Sequence, residues 1–205
     1  MANKNFVSDK DVSVPLFNVG ALDFFTRTHW SIPLIVFVPI IGYCLFTALT
    51  TTSIGIKIIP VFISGLLFWT LAEYILHRFV FHQELPGTLG KKVHFIVHGV
   101  HHDYPNDSTR LVMPPILSIP LTILFYFLFT AILPSMYVLP FLAAFLTGYL
   151  IYDMMHYALH HVRFKNRYWQ KLKSHHMLHH FDNPDKDFGV SSVFWDKVFR
   201  SKRKG

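Results

Sequence analysis

Residues 94–102 read HFIVHGVHH, and four of the nine side chains are imidazoles. His94, His98, His101 and His102 fall at spacings of three and four, which puts them on one face of a helix. Neutral imidazole is the commonest biological nitrogen ligand for zinc, copper and iron. Three further clusters lie outward from this stretch: His77 with His82, His156 with His160 and His161, and His175 and His176 with His179 and His180. The pattern predicts that the chain brings four clusters to one metal centre at a membrane surface.

The surroundings of those clusters are apolar. Of 205 residues, 52% are hydrophobic and 17% aromatic, while only 15% are charged. A soluble domain carries about 25% charged residues, so this composition points to lipid. The net charge of +7 does not point to nucleic acid, because the basic residues alternate with long apolar runs instead of forming one stripe. Cys44 is the single cysteine, which excludes a disulfide framework and a thiolate metal site.

Four apolar runs are long enough to cross a bilayer: about 31–51, 58–79, 113–133 and 136–159. The links TTTSIGIK and LPSMYV are short, so each neighbouring pair of runs reads as a helical hairpin. Apart from Lys57, the basic residues lie before the first run, between the second and third with Arg78 at the edge, or after the fourth. The positive-inside rule then places the N-terminus, the 82–112 loop and the C-terminal tail on the cytoplasmic side. The histidine clusters fall on that same side. Residues 1–30 read as a cytosolic and interfacial segment, with Trp30 at headgroup depth. Residues 31–205 form the membrane domain. VSSVFWDKVF, near the C-terminus, reads as a short amphipathic helix. The expected fold is therefore all-α and integral to the membrane, with four transmembrane helices in two hairpins and a cytosolic, histidine-rich helical cap holding a di-metal site.

His-x-x-His-His occurs twice, at His98/His101/His102 and at His176/His179/His180, and is read as placing three imidazoles on one helical face. Packing gives no reason to stack imidazoles, since each buried ring needs polar partners; a metal satisfies them together. His29, alone near a helix end, reads as interfacial. His156 and His160 share a face at i, i+4. His77 and His82 lie about 140° apart on a straight helix, so they converge only if the helix frays or if they serve different metals. Ten candidate ligands (His77, His82, His98, His101, His102, His156, His160, His176, His179, His180) exceed the four of a structural zinc and suit two ions. An open, redox-active di-iron site uses such a set. Glu73 and Asp153 sit one turn or less before His77 and His156. Acids in membrane helices are costly, and each is expected to accept from the far nitrogen of a ligand histidine or to pair with Arg78 or Arg163.

HRFVFH, HFIVHGVHHDYPNDSTRLVMPP, GYLIYDMMHY, LKSHHMLHHF and FGVSSVFWDKVF together resemble the fatty acid 2-hydroxylases of the sterol desaturase/fatty acid hydroxylase superfamily, over about residues 66–200. The resemblance implies four membrane helices under a cytosolic di-metal cap, with a ten-histidine pattern on the ten positions above. His94 also matches a family histidine and is carried as a possible ligand; His161 and His175 are left out of the ligand set. It implies O2-dependent hydroxylation at C2 of a fatty acyl chain, typically the N-acyl chain of a sphingolipid or ceramide. Iron is expected for activity, with zinc possible in purified protein. Many members carry an N-terminal cytochrome b5 domain, and this sequence has no His-Pro-Gly-Gly haem motif. A separate electron donor, cytochrome b5-like or ferredoxin-like, is therefore expected, and a bacterial inner membrane is favoured over the endoplasmic reticulum. The basic tail with Lys165, Arg167, Lys171 and Lys173 reads first as an orientation and anionic-lipid signal, and second as a dock for an acidic donor. The alternatives are another histidine-box membrane oxygenase (a sterol or carotenoid hydroxylase, a desaturase), a metal transport or binding protein, and a zinc hydrolase.

Overall fold

The computed structural model describes residues 5–203, and among these the regular elements are all helical. A short helix α1 (Gly20–Phe24) precedes α2 (Ile32–Thr51) and α3 (Ile58–Ile75), which continues as a π-turn over Leu76–Phe81. The cap follows: α4 (Gly87–His94), a second π-turn (Phe95–Gly99) and α5 (Val100–Asp103). Two more long helices, α6 (Pro115–Ile132) and α7 (Ser135–His161), precede α8 (Arg167–Phe181) and the five-residue α9 (Phe194–Val198). Four segments are long and apolar enough to cross a membrane: 32–51, 55–81, 115–132 and 135–161. The second and fourth, at 27 residues each, run beyond the expected spans and carry histidines out of the apolar zone.

The fourth segment is the hub. Two-thirds of its apolar window is buried (67%), against 11–22% in the other three. Both α2 and α3 pack chiefly on α7, so the two hairpins interlock instead of standing side by side. Small residues permit the closest crossing, as is common between membrane helices. A Cβ on Gly65 would meet Ala144 Cβ and Phe141 O at 2.7 Å, and one on Gly148 would meet Trp69 Cγ at 2.5 Å. Around this crossing, Phe68, Phe129, Phe145, Trp69 and Tyr149 form an aromatic core with ring centroids 5.0–6.0 Å apart. Prolines inside α2, α6 and α7 (Pro39, Pro120 and Pro140) are accommodated without ending the helices.

The chain ahead of α2 packs on the cap. Val7 N and Ser8 N donate to Asp103 O, and Thr28 N donates to Thr109 O. Buried Asp23 accepts from Leu16 N (2.7 Å), Arg27 (2.6 Å) and Arg110 (3.2 Å). The stretch read as an amphipathic VSSVFWDKVF helix is helical only over Phe194–Val198, and its Asp196 is fully buried.

Candidate metal centre

The ends of α3 and α7, the π-turn and α5 of the cap, and the last turns of α8 bring the ten histidines into two pentads. The first comprises His77, His82, His98, His102 and His179; the second comprises His101, His156, His160, His176 and His180. Within each, the candidate ligand atoms lie within 4.8 Å of one another. The pentads adjoin, with His102 stacked on His180 at 4.3 Å between ring centroids.

His77 and His82 meet because the helix changes type between them. A π-turn makes i→i+5 hydrogen bonds, and His82 N donates to His77 O at 3.2 Å. Residues five apart then share a face, and the two Nε2 atoms come within 3.2 Å. The second π-turn, over Phe95–Gly99, carries His98 and leads into α5 with His102, and their Nε2 atoms are 3.1 Å apart.

Neither His-x-x-His-His motif delivers all three rings to one place, as the sequence spacing suggested. Each is split. His98 and His102, at i, i+4, enter the first pentad, while His101 enters the second. His176 and His180, again at i, i+4, enter the second, while His179 enters the first. The angular step between adjacent helical residues, about 100°, turns the odd ring toward the other pentad. The two helices thus exchange one ring each.

The nitrogen chemistry fits metal ions. His77 Nδ1 donates to Phe188 O (2.5 Å), His179 Nδ1 to Lys186 O (2.6 Å) and His156 Nδ1 to Leu111 O (2.9 Å). A neutral imidazole carries one proton, so those bonds leave a bare lone pair on each Nε2. Burial first, with neighbouring rings second, lowers the pKa of His102 to about 3 and holds His98, His101, His176, His179 and His180 well below the ordinary histidine value. His77 Nε2 and His179 Nε2 nevertheless lie 3.2 and 3.1 Å from His82 Nε2. In the second pentad, His101 Nε2 and both ring nitrogens of His180 are buried without a protein hydrogen-bond partner. Converging lone pairs repel, and orphaned buried nitrogens cost about 1–3 kcal/mol each. A cation amid each pentad would relieve the facing lone pairs and take one nitrogen of each ring, which leaves His180 with its other nitrogen still without a protein partner.

Neither Glu73 nor Asp153 makes a hydrogen bond to a histidine. Glu73 Oε1 accepts from Val190 N (2.9 Å) and Ser191 N (2.8 Å), and Oε2 accepts from the Ser191 hydroxyl. Asp153 Oδ1 accepts from Met113 N at 3.3 Å. Each acid therefore pins a backbone N–H two or three residues beyond a carbonyl that orients a histidine, Phe188 O in one case and Leu111 O in the other. The direct acceptors are therefore backbone carbonyls and not the acids expected there, which stand one step behind. The alternative ion pairs are also not made: Arg78 donates to Tyr74 Oη. His94 stands outside both pentads, its Nδ1 3.9 Å from Glu84.

Sequence reasoning missed the strap that holds the first pentad. Asp196 Oδ1 accepts from Phe188 N and the Ser201 hydroxyl, and its Oδ2 accepts from Gly189 N. His175 lies between Asp187 (3.4 Å) and Asp196 (3.1 Å). Burial alone would raise the Asp196 carboxyl, but the bonds from His175, Ser201 and Gly189 win and lower it. The only sequence signal was the acid within an otherwise apolar FWDKVF. His161 packs against Tyr157, ring centroids 4.8 Å apart, and enters neither pentad.

A cavity of about 430 Å³ adjoins both pentads. His98 of the first and His101 and His156 of the second form part of its wall, and the rest is mostly aliphatic and aromatic.

Fold and site together define a polytopic, all-helical membrane protein with a paired all-imidazole centre. The chain belongs to the fatty acid hydroxylase family, whose model matches residues 62–201. It is 41% identical over 187 residues to a dihydroceramide fatty acyl 2-hydroxylase of Arabidopsis thaliana, covering 86% of this chain and 75% of that one. It is 40% identical over 190 residues to a ceramide very long chain fatty acid hydroxylase of Saccharomyces cerevisiae, covering 91% of this chain and 49% of that one. The solved structure of full-length scs7p, in which only the hydroxylase domain is visible, superposes with a TM-score of 0.84 at 38% identity over 89% of this chain and 70% of that one. The chain thus spans about half the length of the yeast relative.

Proposed function

We propose that this protein hydroxylates C2 of a fatty acyl chain, in the N-acyl group of a sphingolipid or related membrane lipid. The reading rests on one observation: a mostly apolar cavity whose wall includes histidines of both pentads. His77, His82, His98, His102 and His179 would hold one metal ion, and His101, His156, His160, His176 and His180 the other. Bound iron would supply what no side chain here can, reductive activation of O2 against an unactivated C–H bond; zinc bound on purification would not. The reaction balances as R–CH2–C(=O)–NHR′ + O2 + 2 e⁻ + 2 H⁺ → R–CHOH–C(=O)–NHR′ + H2O.

The protein's own part is positional. The apolar wall takes the acyl chain and excludes water, and the polar amide stays near the interface, which leaves C2 nearest the imidazoles. The carbonyls of Phe188, Lys186 and Leu111 fix ring orientation. A separate electron-transfer protein supplies the two electrons. The distribution of Lys and Arg supports a cytoplasmic position for the cap, and hence for the reaction. Residues 31–205 are the hydroxylase domain, and residues 1–30 are its interfacial lead-in.

The test is expression, with a competent electron donor, in a host that lacks 2-hydroxylated lipids, followed by lipid mass spectrometry. An added oxygen at C2 of the N-acyl chain, abolished by His101→Ala, is the expected result. Loss of two hydrogens instead identifies a desaturase, and unchanged lipids refute the proposal.

A further inference from the structure

Five residues belong at once to the cavity wall and to the outer surface: Leu22, Phe25, Val80, Ile116 and Leu117, each 42–55% exposed. Residues of that kind mark where a cavity meets its surroundings. Leu22 lies in α1 and Phe25 just after it, Val80 in the π-turn that follows α3, and Ile116 and Leu117 in the first turn of α6. All five are apolar, so the mouth they frame suits hydrocarbon and not water. Their outer faces continue into the membrane-facing surface, through Ile75 and Phe79 on the α3 side and Ile119 and Ile123 on the α6 side, all more than 40% exposed. The mouth is therefore continuous with the lipid-contacting belt.

One side of this mouth lies outside the residues matched by the family model, which begins at 62. Leu16, Phe17, Leu22, Phe25 and Thr26 all line the cavity. This segment is tied to the cap through Asp23 with Arg110 (3.2 Å) and Thr28 N with Thr109 O (2.7 Å). Arg110 belongs to the same RLVM stretch whose Leu111 carbonyl orients His156.

We propose that this mouth is a lateral portal through which the acyl chain of a membrane lipid enters the cavity from the bilayer, with residues 16–25 as one lip and the α3 π-turn and the start of α6 as the other. The inference builds on the lipid-hydroxylase reading above. In this arrangement the chain passes the π-turn that carries His77 toward His82, so the turn both assembles the first pentad and borders the path to it. The N-terminal lip decides how much of the lipid beyond the acyl chain can follow.

Thiol protection in lipid nanodiscs tests the portal. Cys44 is buried and remains as the silent native thiol. Phe25→Cys and Leu117→Cys place a thiol on each lip, and Ile35→Cys, exposed on α2 and away from the cavity, is the control. Labelling by a bilayer-soluble maleimide is followed with and without ceramide in a phosphatidylcholine matrix. Ceramide held at several times its dissociation constant should slow labelling about fivefold at both lips, by simple occupancy, and leave Ile35→Cys unchanged. Labelled Leu117→Cys should lose hydroxylation while keeping its metal content. Equal labelling rates with and without ceramide at both lips, in protein that still makes 2-hydroxyacyl product, overturn the portal. Protection without any hydroxylated product leaves the portal standing and overturns the hydroxylase reading, so the two failures are distinguishable.

Discussion

Glu73→Ala is the most discriminating perturbation of the first pentad. Glu73 is buried and accepts Val190 N–H, Ser191 N–H and the Ser191 hydroxyl. The hydroxyl can turn toward solvent, because Ser191 is only partly buried, but the two N–H groups cannot follow it. Stranding them costs about 1–3 kcal/mol each, some 2–6 kcal/mol together. The segment relieves that cost by moving, and Phe188 O and Lys186 O move with it. Those carbonyls hold His77 and His179, both members of the first pentad. Loss of such outer partners weakens metal binding about 10–100-fold. The second pentad, whose oriented ring is His156 on Leu111 O, is untouched. Metal content measured during dialysis against graded chelator should therefore show the first ion leaving at about 10–100-fold lower chelator concentration, with the second unmoved. Glu73→Gln keeps one acceptor oxygen for the two N–H groups and should fall between wild type and alanine. An unchanged release curve, or both ions leaving together, refutes the argument that the acid acts through the loop.

Three further outcomes follow from the same geometry. Asp153→Ala frees Met113 N and should weaken the second ion selectively, the mirror of Glu73→Ala in the same chelator assay. His102→Ala should weaken the first ion and His101→Ala the second, although the residues are adjacent; equal effects on one ion contradict the split of the motif. The metal-free protein should lose stability on acidification. The buried rings of His98, His101, His102, His176, His179 and His180 are depressed below the unfolded value of about 6.5. Their contribution is therefore fully present above that pH and is lost as pH falls below it, because the unfolded chain takes up protons that the folded rings refuse. Protons taken up by the unfolded chain and refused by the folded rings accumulate as pH falls below that value, so Tm between pH 8 and 5 should fall steeply, and a flat profile would contradict the burial.

The membrane helices were legible because apolar run length and the placement of charge are one-dimensional signals. The ten imidazoles were legible as a set because no packing requirement stacks that many rings. Their division was not legible. His-x-x-His-His looks like one face, yet one ring of each triplet sits about 100° from its neighbour, and which pentad receives it depends on where a second helix lies. The convergence of His77 with His82 was hidden for another reason. Nothing in LHRFVF announces an i→i+5 turn, so the straight-helix angle kept the pair apart on paper. Carbonyl acceptors are invisible in any sequence, which is why Glu73 and Asp153 were expected to reach histidines that Phe188 O and Leu111 O already held. Asp196 was hidden inside an apolar-looking stretch that reads as a surface helix.

The cost of assembling the pentads also says what the metal does for the fold. Each pentad gathers neutral imidazoles whose Nε2 lone pairs face one another in a buried site, and His180 is left with both nitrogens without a protein partner. Helix packing around Gly65 and Gly148 and the strap through Glu73 and Asp196 must hold this arrangement against that repulsion when no ion is bound. An ion that binds the folded pentads and not the unfolded chain returns the difference as stability, about 2.7 kcal/mol per site at a free concentration 100 times its dissociation constant. Removal of metal should therefore lower Tm well beyond the effect of losing one surface ligand, and re-addition should restore it in step with the number of ions bound. A Tm indifferent to metal would mean that the pentads are relaxed without an ion, and would undercut the case that ten converging imidazoles exist to hold two of them.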